Sequence, residues 1–264
     1  MGSTQSIVTV DAFTSVPFAG NPAAVCLLNE PKDDQWMALV AREMNLSETA
    51  FLLKVETGYS LRWFTPVVEV DLCGHATLAS AHALWEGGHA PADSPLTFST
   101  RSGTLTATRR GNAIELDFPA TPPSPSSPPA GLFEALGISE RPVYKSRFDY
   151  LVECDSEQGV RQLNPNYTSL QSLGARGIMV TARGSGDVDI VSRFFAPGAG
   201  IDEDPVTGSA HCTLGPYWAE KLGKTTLRCF QASARGGALT VEVVGSRVKL
   251  VGQAVTVLRG ELHY

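Results

Sequence analysis

The strongest constraint on how this chain folds is that it carries the same short pattern twice. Arg62-Trp63-Phe64-Thr65-Pro66 in the first half is matched by Arg193-Phe194-Phe195-Ala196-Pro197 in the second. Each is followed, after a short irregular stretch, by a Gly-x-Ala step that opens an apolar helix. These are Gly74-His75-Ala76, running into Thr77 to Trp85, and Gly208-Ser209-Ala210, running into His211 to Trp218. The second copy has three more residues between arginine and glycine, 15 positions against 12. One such match could be chance. The same order of features in both halves makes an ancient duplication the better explanation.

Between the copies lies Pro119-Ala120-Thr121-Pro122-Pro123-Ser124-Pro125-Ser126-Ser127-Pro128-Pro129, with six prolines in eleven residues. Proline lacks a backbone N–H and fixes φ, so this segment reads as an extended linker, neither helix nor central strand. The expected division is a first half over 1–118, a linker over 119–130 and a second half over 131–264, with the last strand free to return to the first half. Most of each half reads as strand: Ile7–Val10, Glu48–Val55, Leu96–Ser99, Gly103–Arg109 and Ala113–Phe118, then Val241–Val244, Val248–Val251 and Val255–Leu258. Asp34–Met44 reads as a helix with Trp36, Leu39 and Val40 along one face. The helix from Thr77 to Trp85 is small and apolar nearly all round, so it should be buried. The expected fold class is α+β: two pseudo-symmetric halves, each a curled, mostly antiparallel strand barrel around a central helix.

Composition narrows the function. A chain of 264 residues with 43% hydrophobic and 18% charged residues can bury roughly 70–75% of its unfolded surface without disulfides or metal. Net charge is −6, with no basic block, which argues against nucleic acid as partner. The five cysteines (Cys26, Cys73, Cys154, Cys212, Cys229) are odd in number and form no Cys-x-x-Cys pair, against a disulfide framework or a structural zinc. No stretch approaches the ~20 apolar residues of a membrane span. The expectation is a reduced, cytoplasmic globular protein.

The chemistry-bearing residues gather around the two helix starts. Gly74 and Gly208 let a ligand approach the backbone, and the first N–H groups of a helix have no partner within it. With roughly +0.5 of a charge at each start, two such ends facing one another would hold a small carboxylate; two ordinary glycine helix starts are the plainer alternative. Cys73-Gly74-His75-Ala76-Thr77 resembles the Cys-Gly motif of two-cysteine racemases, which use one thiol from each half. Here the residue before Gly208 is Thr207, and Cys212 lies inside the helix, so the two-thiol arrangement is broken. That leaves Glu48, in Asn45-Leu46-Ser47-Glu48-Thr49-Ala50-Phe51, as a single acid/base. The junction in the second half, Leu173-Gly174-Ala175-Arg176-Gly177-Ile178-Met179, has no carboxylate. Asp204 and Ser209 flank the second helix start, and His75 holds in the first copy the position of Ser209. Glu48 could instead face solvent, Asp204 could simply cap a helix, and His211 reads as packing. No dinucleotide motif, phosphate loop or metal-spaced cluster is present.

Five ordered stretches resemble the PhzF-like (phenazine biosynthesis-like) family: Phe18-Ala19-Gly20-Asn21-Pro22-Ala23-Ala24-Val25, Asn45 to Phe51, Arg62 to Pro66, Cys73 to Ala79, and Glu203-Asp204-Pro205-Val206-Thr207-Gly208-Ser209-Ala210-His211. The resemblance runs from Ile7 to Leu262. It implies the diaminopimelate epimerase fold, a homodimer, and cofactor-independent isomerisation; the family's type member moves a proton within a dihydro-hydroxyanthranilate by means of a glutamate. Carried over residue by residue, it implies Glu48, His75 and Asp204 as catalytic groups. Substrate would be lined by Cys73, Gly74, Ala76, Thr207, Gly208 and Ser209, with no metal and no cofactor. The alternatives are an amino- or hydroxy-acid racemase using Cys73, and a non-catalytic binding protein that keeps the pocket as a relic.

Overall fold

The computed structural model describes residues 3–264. The chain forms two compact units, one reaching to Asp117 and rejoined by Leu250–Tyr264, the other Phe118–Lys249.

The first unit runs β1 (Thr4–Ala12), β2 (Asn21–Leu28), α1 (Asp34–Met44), β3 (Glu48–Val55), β4 (Gly58–Phe64), β5 (Glu69–Val70), α2 (Gly74–Glu86), β6 (Leu96–Thr100), β7 (Gly103–Arg110) and β8 (Ala113–Pro119). β1 pairs antiparallel with β2, β2 parallel with β3, and β3 antiparallel with β4. β4 then takes β5 antiparallel and β6 parallel, and β6–β7–β8 continue antiparallel. α1 is capped by Asp33, whose carboxylate accepts from Trp36 N at 2.7 Å. It ends at Asn45, whose φ of 50° is tolerated by an asparagine. Its buried face is Met37, Val40 and Ala41, packed on Ile7, Cys26, Phe51 and Phe64. Of the expected face, Val40 is buried and Trp36 flanks the core against Phe51 and Tyr264, whereas Leu39 is 52% exposed and Met37 takes its place in the core.

The second unit repeats this pattern. It runs β9 (Ser124–Ser126), α3 (Leu132–Leu136), β10 (Val143–Lys145), β11 (Tyr150–Glu153), α4 (Glu157–Gln162), α5 (Tyr167–Ser172), β12 (Ile178–Arg183), β13 (Ile190–Ala196), β14 (Ile201–Asp204), α6 (Gly208–Leu222), β15 (Thr226–Gln231), β16 (Gly237–Val244) and β17 (Arg247–Gly252). β10–β11 is antiparallel, β11–β12 parallel, β12–β13 antiparallel, and β13 takes β14 antiparallel and β15 parallel. The order of pairings matches β1 to β6. β18 (Ala254–His263) adds antiparallel to β1, and β9 adds antiparallel to β10.

A helix sits in the hollow of each curled sheet. α2 packs against β1, β2, β3, β7 and β18, and His75 to Ala81, Leu84 and Trp85 are buried. α6 packs on β15 and β16; Trp218 Nε1 donates to Thr181 Oγ1 of β12 at 3.0 Å. Pro216 lies inside α6 and cannot donate to the Cys212 carbonyl. Thr121 N takes that carbonyl instead, at 3.0 Å, and its hydroxyl meets Thr213 Oγ1 at 2.8 Å. Of the proline-rich stretch expected as a linker, Thr121 is thus bonded to α6, and Ser124–Ser126 form an edge strand.

Candidate active site

Each half delivers its helix start in the same way. A hairpin brings an arginine and a glutamate together as a two-bonded fork just before the helix. Arg62 donates to Glu69 at 2.7 and 2.6 Å, and Arg193 to Glu203 at 2.7 and 2.8 Å. Planar forks of this kind fix direction as well as distance. Both glutamates stand five residues before the helix glycine, so the three extra residues of the second copy lie within the hairpin, where Pro197–Ala199 form a 3₁₀ turn. With the glutamates aligned, Asp204 takes the place of Val70, Thr207 of Cys73 and Ser209 of His75.

In the first unit, Glu48 opens β3 directly after the Asn45 turn, opposite Ala23 of β2. Its carboxylate Oε2 lies 3.2 Å from His75 Nε2, with the Glu48 side chain 18% and the His75 side chain 5% exposed. Burial drives the His75 pKa down to about 3, so the ring is neutral at ordinary pH and the contact is not an ion pair. Its other nitrogen, Nδ1, is 3.1 Å from the Asn21 amide nitrogen and 3.5 Å from Cys73 Sγ. An amide N–H only donates, so as placed Asn21 makes Nδ1 the acceptor and leaves the ring proton on Nε2, beside Glu48. Asn21 is completely buried. It is presented by a turn in which Gly20 has φ +65°, where an added Cβ would lie 2.2 Å from the Ala12 carbonyl oxygen. Cys73 precedes α2, with Gly74 and Ala76 in its first turn. Glu48, Cys73 and His75 each bring a donor atom within 4.8 Å of the other two. They could therefore hold a metal ion through one imidazole nitrogen, the Cys73 thiol and a Glu48 oxygen. Sequence spacing hides this trio, since Glu48 lies far from the other two along the chain.

In the second unit Asp204 ends β14, 8% exposed. Its Oδ2 accepts from the Thr207 hydroxyl at 2.5 Å. Gln231, fully buried at the end of β15, ties the loop together. Its amide donates to the Asp204 carbonyl at 2.7 Å and to Thr207 Oγ1 at 3.1 Å, and its oxygen accepts from Thr207 N at 2.9 Å. Ser209 Oγ accepts from Arg176 Nη2 at 3.3 Å. His211 is buried with Nδ1 2.8 Å from the Thr207 carbonyl; burial lowers its pKa to about 4 against that bond. It packs, as expected.

Register explains why only one half carries the carboxylate. Thr49 faces Phe64 and Ile178 faces Phe195, so Gly177 is the counterpart of Glu48. A Cβ on Gly177 would lie 2.1 Å from Phe194 Cζ; the phenyl ring fills the place of a side chain. The sequence reading left Asn21, Arg176 and Gln231 without roles. Gln231 had a signal, an amide at an inward position of the alternating strand Leu227-Arg228-Cys229-Phe230-Gln231. A cavity of about 230 Å³ in this unit is lined by Arg183, Asp189, Lys224 and Arg228, not by site residues. Two of its cations are committed to Asp189 and Asp187.

Two duplicated units, each a curled sheet around a helix whose start carries polar side chains, define the epimerase class of fold. A hydroxyproline epimerase of Agrobacterium vitis shares it, with a TM-score of 0.69 over 100% of this chain and 94% of that one at 12% identity. The chain belongs to the phenazine biosynthesis-like protein family, whose model matches residues 10–260. An uncharacterized isomerase of Halalkalibacterium halodurans is 58% identical over 98% of both chains. The crystal structure of a PhzF-family protein of Enterococcus faecalis superposes with a TM-score of 0.95 at 41% identity, over 99% of this chain and 100% of that one. Among the described residues, no helix is long and apolar enough to cross a membrane.

Proposed function

We propose that this chain is a cofactor-independent isomerase that moves a proton within a small carboxylate-bearing substrate, with Glu48 taking the proton from one atom and returning it to another. The observation that carries this reading is the Glu48 carboxylate 3.2 Å from a neutral, buried His75 whose ring is oriented by Asn21. The relative named as an isomerase at 58% identity supports the reaction class. The step balances within substrate and side chain. A C–H bond breaks with its electron pair passing into an adjacent unsaturated system, an O–H bond forms on Glu48, and the reverse occurs at a second carbon. Acid–base catalysis of this kind contributes typically ~10²–10⁴-fold. The His75 ring, oriented by Asn21, stands beside the carboxylate without a hydrogen bond between Nε2 and Oε2. Asp204, fixed by Thr207 and Gln231, serves as the second charged group. In the first unit the backbone N–H groups at Gly74, beside Cys73 and Ala76, are the substrate-contacting groups; in the second unit they are those at Gly208, beside Thr207 and Ser209.

The racemase reading keeps one observation in its favour, the Cys73 thiol 3.5 Å from His75 Nδ1. It lacks the second thiol, since Thr207 gives its hydroxyl to Asp204. Solvent-deuterium incorporation across a panel of cyclic and acyclic amino and hydroxy acids separates the two. Glu48→Gln should abolish incorporation and Cys73→Ser should leave it. The reverse result would favour the thiol.

A further inference from the structure

The duplicated halves differ in the side chain that reaches the second residue of the central helix, Arg176 lying one residue before Gly177, the register counterpart of Glu48. In the first, a side chain at the start of β3 reaches the second residue of α2: Glu48 and His75, 3.2 Å apart. In the second, a side chain just before β12 reaches the second residue of α6: Arg176 and Ser209, 3.3 Å apart. Where one half carries a carboxylate the other carries a guanidinium. We propose that Arg176 is the specificity-determining residue that anchors the substrate's carboxylate. This rests on the isomerase reading above and assigns the anion-binding part of it to a side chain.

Arg176 is built to be held still. Asp149, 1% exposed, accepts from Arg176 Nε at 2.8 Å and from Nη2. Burial raises the Asp149 carboxyl above its ordinary range and Arg176 opposes that rise, so the two are mutually dependent. The guanidinium carbon lies 4.9 Å from the Phe148 ring and 5.9 Å from that of Phe194. Nε and Nη2 are thus spent on Asp149 and Ser209, while Nη1 has no protein partner among the described residues. The side chain is 42% exposed, so Nη1 is accessible. A guanidinium fixed on one edge and open on the other matches a carboxylate oxygen in geometry and loses little freedom on binding it. Phe148, 45% exposed, adds a flat apolar surface beside it. That combination favours a planar, unsaturated carboxylate over a compact aliphatic one. The opposed reading is that Arg176 only neutralises a buried Asp149.

Benzoate and its uncharged analogue benzamide, titrated by NMR, separate the two. Removing Arg176 alone would strand Asp149, so the deciding variant is the double Asp149→Asn/Arg176→Gln, which keeps a neutral hydrogen-bonded pair; Arg176→Lys is the conservative control. Wild type should prefer benzoate over benzamide by roughly tenfold or more, as one charge-assisted hydrogen bond implies. The preference should vanish in the double variant, weaken in Arg176→Lys and persist in Glu48→Gln. A folded double variant that keeps the preference, or a wild type that binds benzoate no better than benzamide, overturns the anchor. The Glu48 reading fails separately, if Glu48→Gln still exchanges deuterium at the parent rate.

Discussion

The Thr207 hydroxyl stands where the first half has the Cys73 thiol, and it donates to Asp204 Oδ2 at 2.5 Å. Thr207 Oγ1 in turn accepts from Gln231 Nε2 at 3.1 Å. This hydroxyl is therefore fully occupied in holding the loop before α6. Thr207→Val preserves shape but leaves Asp204 and Gln231 each one partner short in a buried place. A loss of about 1–3 kcal/mol in stability is expected, the cost of an unsatisfied buried polar group. Thr207→Ser should keep nearly all of it. Urea denaturation of the three proteins checks this; an undiminished Thr207→Val would show that the hydroxyl does not secure the loop.

A second expectation concerns acid. His75 and His211 are buried neutral, with pKa values brought down to about 3 and about 4 from the ~6.5 of an unfolded chain. Between those limits the unfolded state binds protons that the folded state refuses. Stability is thus complete above about pH 6.5 and declines as pH falls toward the folded values. The slope is up to about 1.4 kcal/mol per pH unit for each histidine. Denaturation midpoints at pH 7 and pH 4.5 should differ markedly, and His211→Gln should flatten the difference. Equal midpoints in the parent protein would contradict the buried-neutral assignment.

Pro216 offers a third test. In an ordinary helix interior, Pro→Ala gains about 3 kcal/mol. Here the carbonyl that Pro216 leaves open is already satisfied by Thr121 N at 3.0 Å. In Pro216→Ala the new N–H would compete with Thr121 for Cys212, so the gain should be far smaller. The Thr121 amide should also exchange faster with solvent. Hydrogen exchange at Thr121, read beside the denaturation curve, decides it. A full gain with Thr121 exchange unchanged would mean that the segment contributes nothing to α6.

The residues that were legible in the sequence are those whose signal is local or repeated. Gly74 and Gly208 stand at helix starts because the same pattern surrounds both, and α1 matches its expected span because Asp33 and Asn45 mark its ends. The hidden parts are contacts that strand pairing creates. Asn21 meets His75 from 54 positions away, Gln231 meets Asp204 from 27, and Arg176 meets Ser209 from 33. Asn21 lies in one of the stretches that carry the family resemblance, but none of these three contacts is visible in its local sequence, because each is made by neighbours distant along the chain. The one-residue error on the α1 face has a related cause: Leu39 and Met37 are equally apolar, and only the neighbouring strands select between them.

The last expectation concerns the division of labour between Glu48 and His75. Glu48→Asp withdraws the carboxylate by one methylene, and proton transfer requires hydrogen-bond distance. Its kcat should fall by about 10–100-fold with KM little changed, because substrate anchoring lies elsewhere. His75→Gln keeps a neutral polar side chain beside Glu48 and should reduce kcat less than Glu48→Gln, which should abolish turnover. The pH profile separates orientation from titration. With its pKa brought down to about 3, His75 does not change charge between roughly pH 5 and pH 8, well above that value. His75→Gln should therefore lower the whole kcat/KM profile over that range without altering its shape. A limb near pH 6.5 that disappears in His75→Gln would show that His75 itself takes up the proton, and the role assigned to Glu48 would pass to it.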